Sequence, residues 1–370
     1  MALQLYVDRA RREVHDLGER VDTFDFDFQH HLAIGRRQDL VWGFGYRMVA
    51  TQTNSNSKTP VQFTPKGVHD PLYGAFVQDE LTLVKDRLRL TLGTKFEHNA
   101  DSGLEVQPSV RLLWTPSSRQ TVWGAVSRAV RAPAISNQDV RIHSAAFPGP
   151  DGTPSIITLL GNPETKSEEL LAYELGYRVQ PSKKLSLDVA SFYNRYDRLQ
   201  TLEPERPFLE TDPQPNVIIP LRFDNLMRGQ TYGMEASVNF DVNARWKIHS
   251  GYSLLRMQLR PYAESRDTTS MTASGSSPQH QFQLQSYFKL PRNFEADAAL
   301  YYVSSLPNVQ VPSYTRLDVR FGRQVSEGVE VSVGAQNLLD NRHPEINGFD
   351  MAVVTSQVKR SVYMKLSWQF

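Results

Sequence analysis

Apolar and polar positions alternate with a period of two along most of this 370-residue chain. In the last ten residues Val362, Met364, Leu366, Trp368 and Phe370 are apolar, while Tyr363, Lys365, Ser367 and Gln369 carry polar atoms. Phe24, Phe26 and Phe28 alternate with Asp25, Asp27 and Gln29, and Leu88, Leu90 and Leu92 with Arg89, Thr91 and Gly93. Trp42, Phe44, Tyr46 and Met48 fall on one face of a further segment. This period separates the two faces of a β-strand into one apolar and one wet. No helical segment is present in the pattern to cover the apolar faces. They can be buried against a second sheet or in lipid, and the connections favour lipid.

The pattern predicts strands at about 3–12, around 24–28 and 42–48, and at 72–84, 87–98, 104–115, 119–131 and 168–179. Further strands follow from 185 and at 222–240, 246–259, 279–290, 293–303, 314–324, 329–338 and 361–370. The total is about sixteen. A turn near Asp16–Glu19 links the first pair. From Gly35 onward every second connection is tight, near 35, 85, 117, 182, 242, 291 and 326. The intervening ones are mostly long: the polar stretch 51–71, an irregular proline-rich segment 132–165, a proline-rich loop 202–221, and loops at 260–277 and 340–353. Those near 100 and 308 are short. Short turns on one rim and long loops on the other are the mark of an outer-membrane barrel. A propeller would carry a blade repeat of about 40–50 residues, and none is evident.

The five tryptophans, Trp42, Trp114, Trp123, Trp246 and Trp368, each stand near a predicted tight turn or the C-terminus. All but Trp123 share the parity of their strand's apolar set, as a ring of aromatic side chains at the headgroup level would. The competing reading is that tryptophan simply favours strand ends. A mean hydropathy of -0.44 and the lack of a long apolar run exclude transmembrane helices but not a barrel. A formal charge of +1 gives no reason to expect nucleic acid as a partner, and the absence of cysteine removes disulfides and most zinc sites. The N-terminus has neither the basic stretch nor the cleavage site of a signal peptide, and the alternation of Leu3, Leu5 and Val7 starts the chain inside a strand.

Several segments carry a more specific signal. They are Phe76-Val77-Gln78-Asp79-Glu80, Arg131-Ala132-Pro133, Asn162-Pro163-Glu164-Thr165-Lys166-Ser167-Glu168, Tyr232-Gly233-Met234-Glu235, Asn337-Leu338-Leu339-Asp340 and the terminal Phe370. In this order they resemble motifs of the TonB-dependent outer-membrane receptors, with Thr165 in place of the family's usual leucine. The resemblance covers residue 73 to the end. It implies an all-β, antiparallel transmembrane barrel of twenty-two strands, filled by an N-terminal plug that carries the segment contacting TonB. Neither plug nor that segment is found, and the strand count is about six short. Residues 1–370 are therefore expected to form the C-terminal part of such a barrel, incomplete by itself. An open sheet in lipid leaves unpaired N–H and C=O groups on its edges, at several kcal/mol each.

The function that the resemblance implies is that of a receptor and transporter barrel in the Gram-negative cell outer membrane. Its partners would be the surrounding lipid, TonB through the plug, and a metal chelate such as a ferric siderophore, haem or cobalamin. The alternatives are a passive porin-like channel, in which the 132–165 segment would be the constriction, and a receptor fragment without function. Arg128 and Arg131, with the 132–165 and 202–221 loops, are the candidates for capturing an anionic chelate through charge-assisted hydrogen bonds. The competing reading, which is favoured, places both arginines in ion networks of the wall or facing the plug.

No enzyme, cofactor or resident metal is expected. His30 and His31 are adjacent and so point to opposite faces of a strand. Gly43-Phe44-Gly45 lacks the third glycine and the helix of a dinucleotide site. Asp25 and Asp27 are the wet face opposite Phe24, Phe26 and Phe28, and Glu168 and Glu169 split between faces, so the chain offers no acid and base pair.

Overall fold

The computed structural model describes residues 1–14, 17–54, 59–149, 151–212, 214–347 and 356–369. Twenty strands hydrogen-bond into one sheet. Sixteen of them form a wall in which each strand pairs antiparallel with the next in sequence. Its first half is Ala2–Val14, Leu17–Ile34, Gln38–Asn54, Gly67–Val84, Leu88–Asn99, Gly103–Ser117, Gln120–Arg131 and Glu168–Ser182. Its second half is Leu185–Pro204, Asn216–Asn243, Trp246–Pro261, His280–Leu290, Phe294–Val303, Tyr314–Ser326, Val329–Gln336 and Ser361–Trp368. Among the described residues the first and last of these strands each have one wall neighbour.

The register shows why the alternation recurs in every strand. Leu3 stands opposite Phe28, Phe28 opposite Phe44, Phe44 opposite Ala75 and Ala75 opposite Phe96. Farther round, Leu92, Val110, Val126, Tyr173, Tyr193 and Tyr232 form one cross-strand row. One apolar face thus runs unbroken across the wall, and its members are exposed, Trp114 at 49% and Phe321 at 51% among them. No described element covers it, as befits a face turned to lipid. Trp42, Trp114, Trp246 and Trp368 lie on this face, whereas Trp123 is on the opposite one and lies flat over Gly176, where a Cβ would collide with its ring. His30 joins the apolar face by packing edge-on against Trp42, and His31 turns the other way to Asp39.

Seven connections, at 35–37, 85–87, 118–119, 183–184, 244–245, 291–293 and 327–328, lie on one rim and span two or three residues each. Gly328 is one position where only glycine serves: its φ is +78°, and a Cβ there would lie 2.5 Å from the Gln369 carbonyl oxygen. The other rim carries the segments 55–66, 132–167, 205–215, 262–279, 304–313 and 337–360, with 100–102 the short exception. Asp16 and Phe370 lie outside the described residues, as does part of the 340–353 loop.

The long segments are more ordered than the sequence predicts. Within 132–165 the structure has a short helix, Ile135–Gln138, and a hairpin of Val140–Pro148 with Pro154–Leu160. The strands Leu185–Pro204 and Asn216–Asn243 extend into the region read as the 202–221 loop, and Phe208–Glu210 pairs there with Asn216–Ile218. Pro154–Leu160 joins the same extension in parallel, from Ser155 opposite Val217 to Leu160 opposite Arg222. Val61–Phe63, within the 51–71 stretch, pairs with Val140–Ile142. A 3-10 turn at Ser270–Gly275 and a two-stranded ribbon of Arg342–Ile346 with Ser356–Lys359 complete this crown. Pro148, Pro154 and Pro204 stand at strand ends, where a missing N–H is tolerated, whereas Pro220 lies within Asn216–Asn243 opposite Thr158.

Deep burial is concentrated in the crown. Ile218, Thr158 and Thr201 are 0% exposed, and Val140, Phe223 and Met227 are buried around them. The membrane wall itself is one sheet thick. A pair of adjacent substitutions tests the assignment of faces. Leu284→Arg, midway along the apolar side of His280–Leu290, is expected to destabilise the folded chain by about 2–4 kcal/mol in a bilayer. Gln283→Arg, on the polar side, is expected to cost less than about 1 kcal/mol. Urea unfolding in lipid vesicles measures both, and equal costs would refute the assignment.

Candidate functional site: the crown and the lumen mouth

The polar face of the wall is a lattice of ion pairs. Arg47 donates to Asp25 at 2.7 Å, Lys95 to Glu97 at 2.7 Å and Arg316 to Asp318 at 2.6 Å. Arg320 bonds Asp297 at 2.7 Å and Glu295 at 3.2 Å, and also pairs with Glu330. A concavity of about 470 Å³ on this side is lined by Asp188, Glu235, Ser253, Gln281 and Tyr301 among others. Gly43 belongs to the same face, and a Cβ there would strike the ring of Phe76 and the carbonyl of Phe28. Small residues here let a neighbouring ring lie close to the backbone.

The two candidate arginines stand on different faces. Arg128 shares the parity of Val126 on the apolar face, and Arg131 faces the lumen. Arg128 has a specific position. The ladder between Gly103–Ser117 and Gln120–Arg131 stops at Ser109 opposite Ser127. The next residue along is Pro108, which has no N–H to offer. Arg128 reaches into the opening, bonds the Val106 carbonyl, and pairs with Glu105 at 3.2 Å and Glu169 at 2.8 Å. Arg198 also pairs with Glu169. Arg131 pairs with Glu168 at 2.8 Å but remains 70% exposed, and borders a small hollow shared with Lys166, Asn137 and Asn225.

A family model described as "TonB dependent receptor-like, beta-barrel" matches residues 5–338. The chain belongs to that family. It is 22% identical over 281 residues to an iron-regulated outer membrane virulence protein of Vibrio cholerae, covering 72% of this chain and 40% of that one. A mutant of the ferric enterobactin receptor of Pseudomonas aeruginosa superposes with a TM-score of 0.72 at 16% identity, over 96% of this chain and 54% of that chain. The siderophore receptor of Acinetobacter baumannii gives 0.71 at 16% identity, over 95% and 55%. The chain thus spans about half the length of these solved relatives. The family is one of receptors rather than enzymes.

In this TonB-dependent receptor barrel the motif residues hold the crown to the wall. The Asn162 side chain donates to the Phe223 carbonyl at 3.0 Å and accepts from the Glu164 N–H at 3.0 Å. Lys166 N–H donates to Asn225, and Glu168 accepts from Gln200 N–H as well as from Arg131. Asn337 is fully buried with φ +55°, and its side chain donates to the Val358 carbonyl at 3.2 Å. Asparagine tolerates this left-handed conformation better than most residues. Across the crown, Arg141 pairs with Glu210 at 2.7 Å and Arg222 with Glu205 at 2.5 Å. Sequence reasoning singled out none of these four: Arg141 and Glu210 are 69 residues apart, and Arg222 and Glu205 meet across a segment read as a loop.

Asp267 is the anchor of the 262–279 loop. Burial pushes its carboxyl up, but bonds from Ser270, Leu202 N–H and Thr269 outweigh burial and hold it below the usual range. His143 lies in the crown hairpin with Nδ1 3.1 Å from the Thr158 hydroxyl. Burial lowers its pKa, Arg141 adds to that, and Glu210 opposes it.

Two outcomes are expected. Arg128→Ala leaves the nearly buried Glu105 without its cation and should cost about 1–3 kcal/mol. Arg131→Ala removes an exposed cation from a Glu168 that keeps its bond from the Gln200 N–H, and should cost about 0–1 kcal/mol. Urea midpoints measure the difference. His143 is held neutral in the folded crown, so the unfolded crown binds more protons below about pH 6.5. Crown stability should therefore be complete above that pH and fall as the pH drops to 5. Hydrogen-exchange protection over residues 140–148 and 154–160, corrected for intrinsic rates, should show the loss. His143→Gln should abolish it.

Proposed function

We propose that residues 1–370 form the wall and outer crown of a receptor in the Gram-negative outer membrane that takes up a ferric siderophore, driven by TonB through a plug supplied from outside these residues. The observation that carries this reading is the family match across the wall, joined to a packed crown over one rim of a polar lumen. The relatives named as siderophore and ferric enterobactin receptors support the choice of a ferric siderophore over haem or cobalamin.

In this reading the chelate approaches the crown and meets the lumen mouth. Arg131 and Lys166 border the hollow at the mouth with exposed surface to offer, and the Arg131 fork suits the anionic oxygens of a chelate. Arg128 acts as a strut that keeps the mouth in shape, since its donors are already engaged.

Uptake of radiolabelled ferric enterobactin by iron-starved cells tests the proposal. Deleting the gene, or TonB, should abolish the component this protein supplies. Uptake that persists without TonB would identify a passive channel instead. In the same assay Arg131→Ala should raise the half-saturating concentration about tenfold, the equivalent of roughly 1.4 kcal/mol. An unchanged value would remove Arg131 from capture.

A further inference from the structure

On the lipid-facing side of the wall, just above the apolar belt, four arginines stand together: Arg195, Arg228, Arg256 and Arg260. Their parity is that of Tyr193 and Tyr232. The rows are read directly from the register. Tyr193, Tyr232 and Arg256 are opposite one another; one step toward the long-loop rim come Arg195, Gln230 and Gln258; one step farther Arg228 faces Arg260. Tyr173, 6.2 Å from Tyr193 between ring centres, continues the aromatic row. Such rows mark the level where the hydrocarbon ends and headgroups begin.

The electrostatics of this patch are unbalanced. All four arginines are exposed, and among the described residues none forms an ion pair. Arg256 bonds only the amide oxygen of Gln279. The nearby Asp197 takes the hydroxyl of Tyr262 instead. Arg228 and Arg260 are directly opposed cross-strand neighbours of like charge, an arrangement that is destabilising unless an anion lies between or beside them. Elsewhere on the same face and near the same rim the charges are balanced, as where Arg9 and Arg20 both pair with Asp22, at 2.5 and 2.8 Å. Arg195, Arg228 and Arg260 flank a concavity of about 330 Å³ whose floor includes Gln230, Gln258 and Tyr193, linked by hydrogen bonds of 2.9 and 2.7 Å, and Arg256 stands beside it opposite Tyr232.

We propose that this patch binds the phosphate-bearing headgroup of an anionic lipid of the outer leaflet. The guanidinium forks would grip phosphate oxygens bidentately, the glutamines would donate to the remaining oxygens, and the acyl chains would run down the apolar face below Tyr193 and Tyr232. The site is independent of the lumen and of what the receptor transports.

Native mass spectrometry of the purified chain in a zwitterionic detergent provides the test, with phosphatidylglycerol, phosphatidylcholine and inorganic phosphate as probes. Wild type should retain phosphatidylglycerol and not phosphatidylcholine. The variant Arg195→Gln, Arg228→Gln, Arg256→Gln, Arg260→Gln should lose at least fivefold of that retention. A charge-matched control on the opposite rim, Arg36→Gln, Arg37→Gln, Arg87→Gln, Arg245→Gln, should keep it. Arg228→Glu alone, which relieves the opposition to Arg260, should lose retention while folding at least as well as wild type. Equal retention in all variants, equal loss in the control, or displacement of the lipid by equimolar inorganic phosphate would each overturn the assignment of a lipid site.

Discussion

Every backbone N–H and C=O inside the hydrocarbon must find its partner in the wall itself, since lipid offers none. That constraint accounts for most of this structure. It produces a meander in which each strand pairs with its sequence neighbour, and it keeps the register nearly regular from Ala2 to Trp368. A slip of one residue would turn a whole strand's apolar set inward and its ion pairs toward lipid. The ladder's interruption beside Pro108 shows the constraint at its limit. Proline cannot donate, the pairing stops at Ser109, and a side chain, Arg128, supplies a donor for the Val106 carbonyl.

The wall's response to that constraint is local, and local features are legible in a sequence. Period two places Phe24, Phe26 and Phe28 on one face and Asp25 and Asp27 on the other, and the tight turns mark one rim. Trp123 already breaks parity with the other tryptophans in the sequence, and in the structure it is the one that turns inward over Gly176. The crown was not legible in the same way. Ile156, Ile157, Leu159 and Leu160 find their partners at residues 218–222, in a parallel pairing that no local pattern signals. Prolines 148, 154, 204 and 220 mask the strands further, because each reads as a breaker although it sits in or at the end of one.

The candidate arginines show a signal that was present and unused. Arg128 and Arg131 are three residues apart, an odd step, so on one strand they must face opposite ways. Their Cβ atoms therefore point to opposite faces, and Arg128 is drawn back to Glu105 and Glu169 instead of standing beside Arg131. The motif asparagines carry another lesson. Asn162 and Asn337 have the residue type and spacing that match the family, yet their side chains bond backbone carbonyls of distant segments. The family motif here encodes attachment of loop to wall.

The parallel strand that locks the crown also orders the molecule in time. On the short rim, neighbouring wall strands meet across turns of two or three residues. The pairing of residues 155–160 with 217–222 closes a chain of about sixty residues. Loop closure grows as (3/2)RT ln n, so this single contact carries about 2–3 kcal/mol more entropy cost than a wall hairpin. The short-rim hairpins can therefore form while the crown is still open. The deepest burial in the protein is thus made by its least local contact, with Thr158 and Ile218 both within that parallel pair.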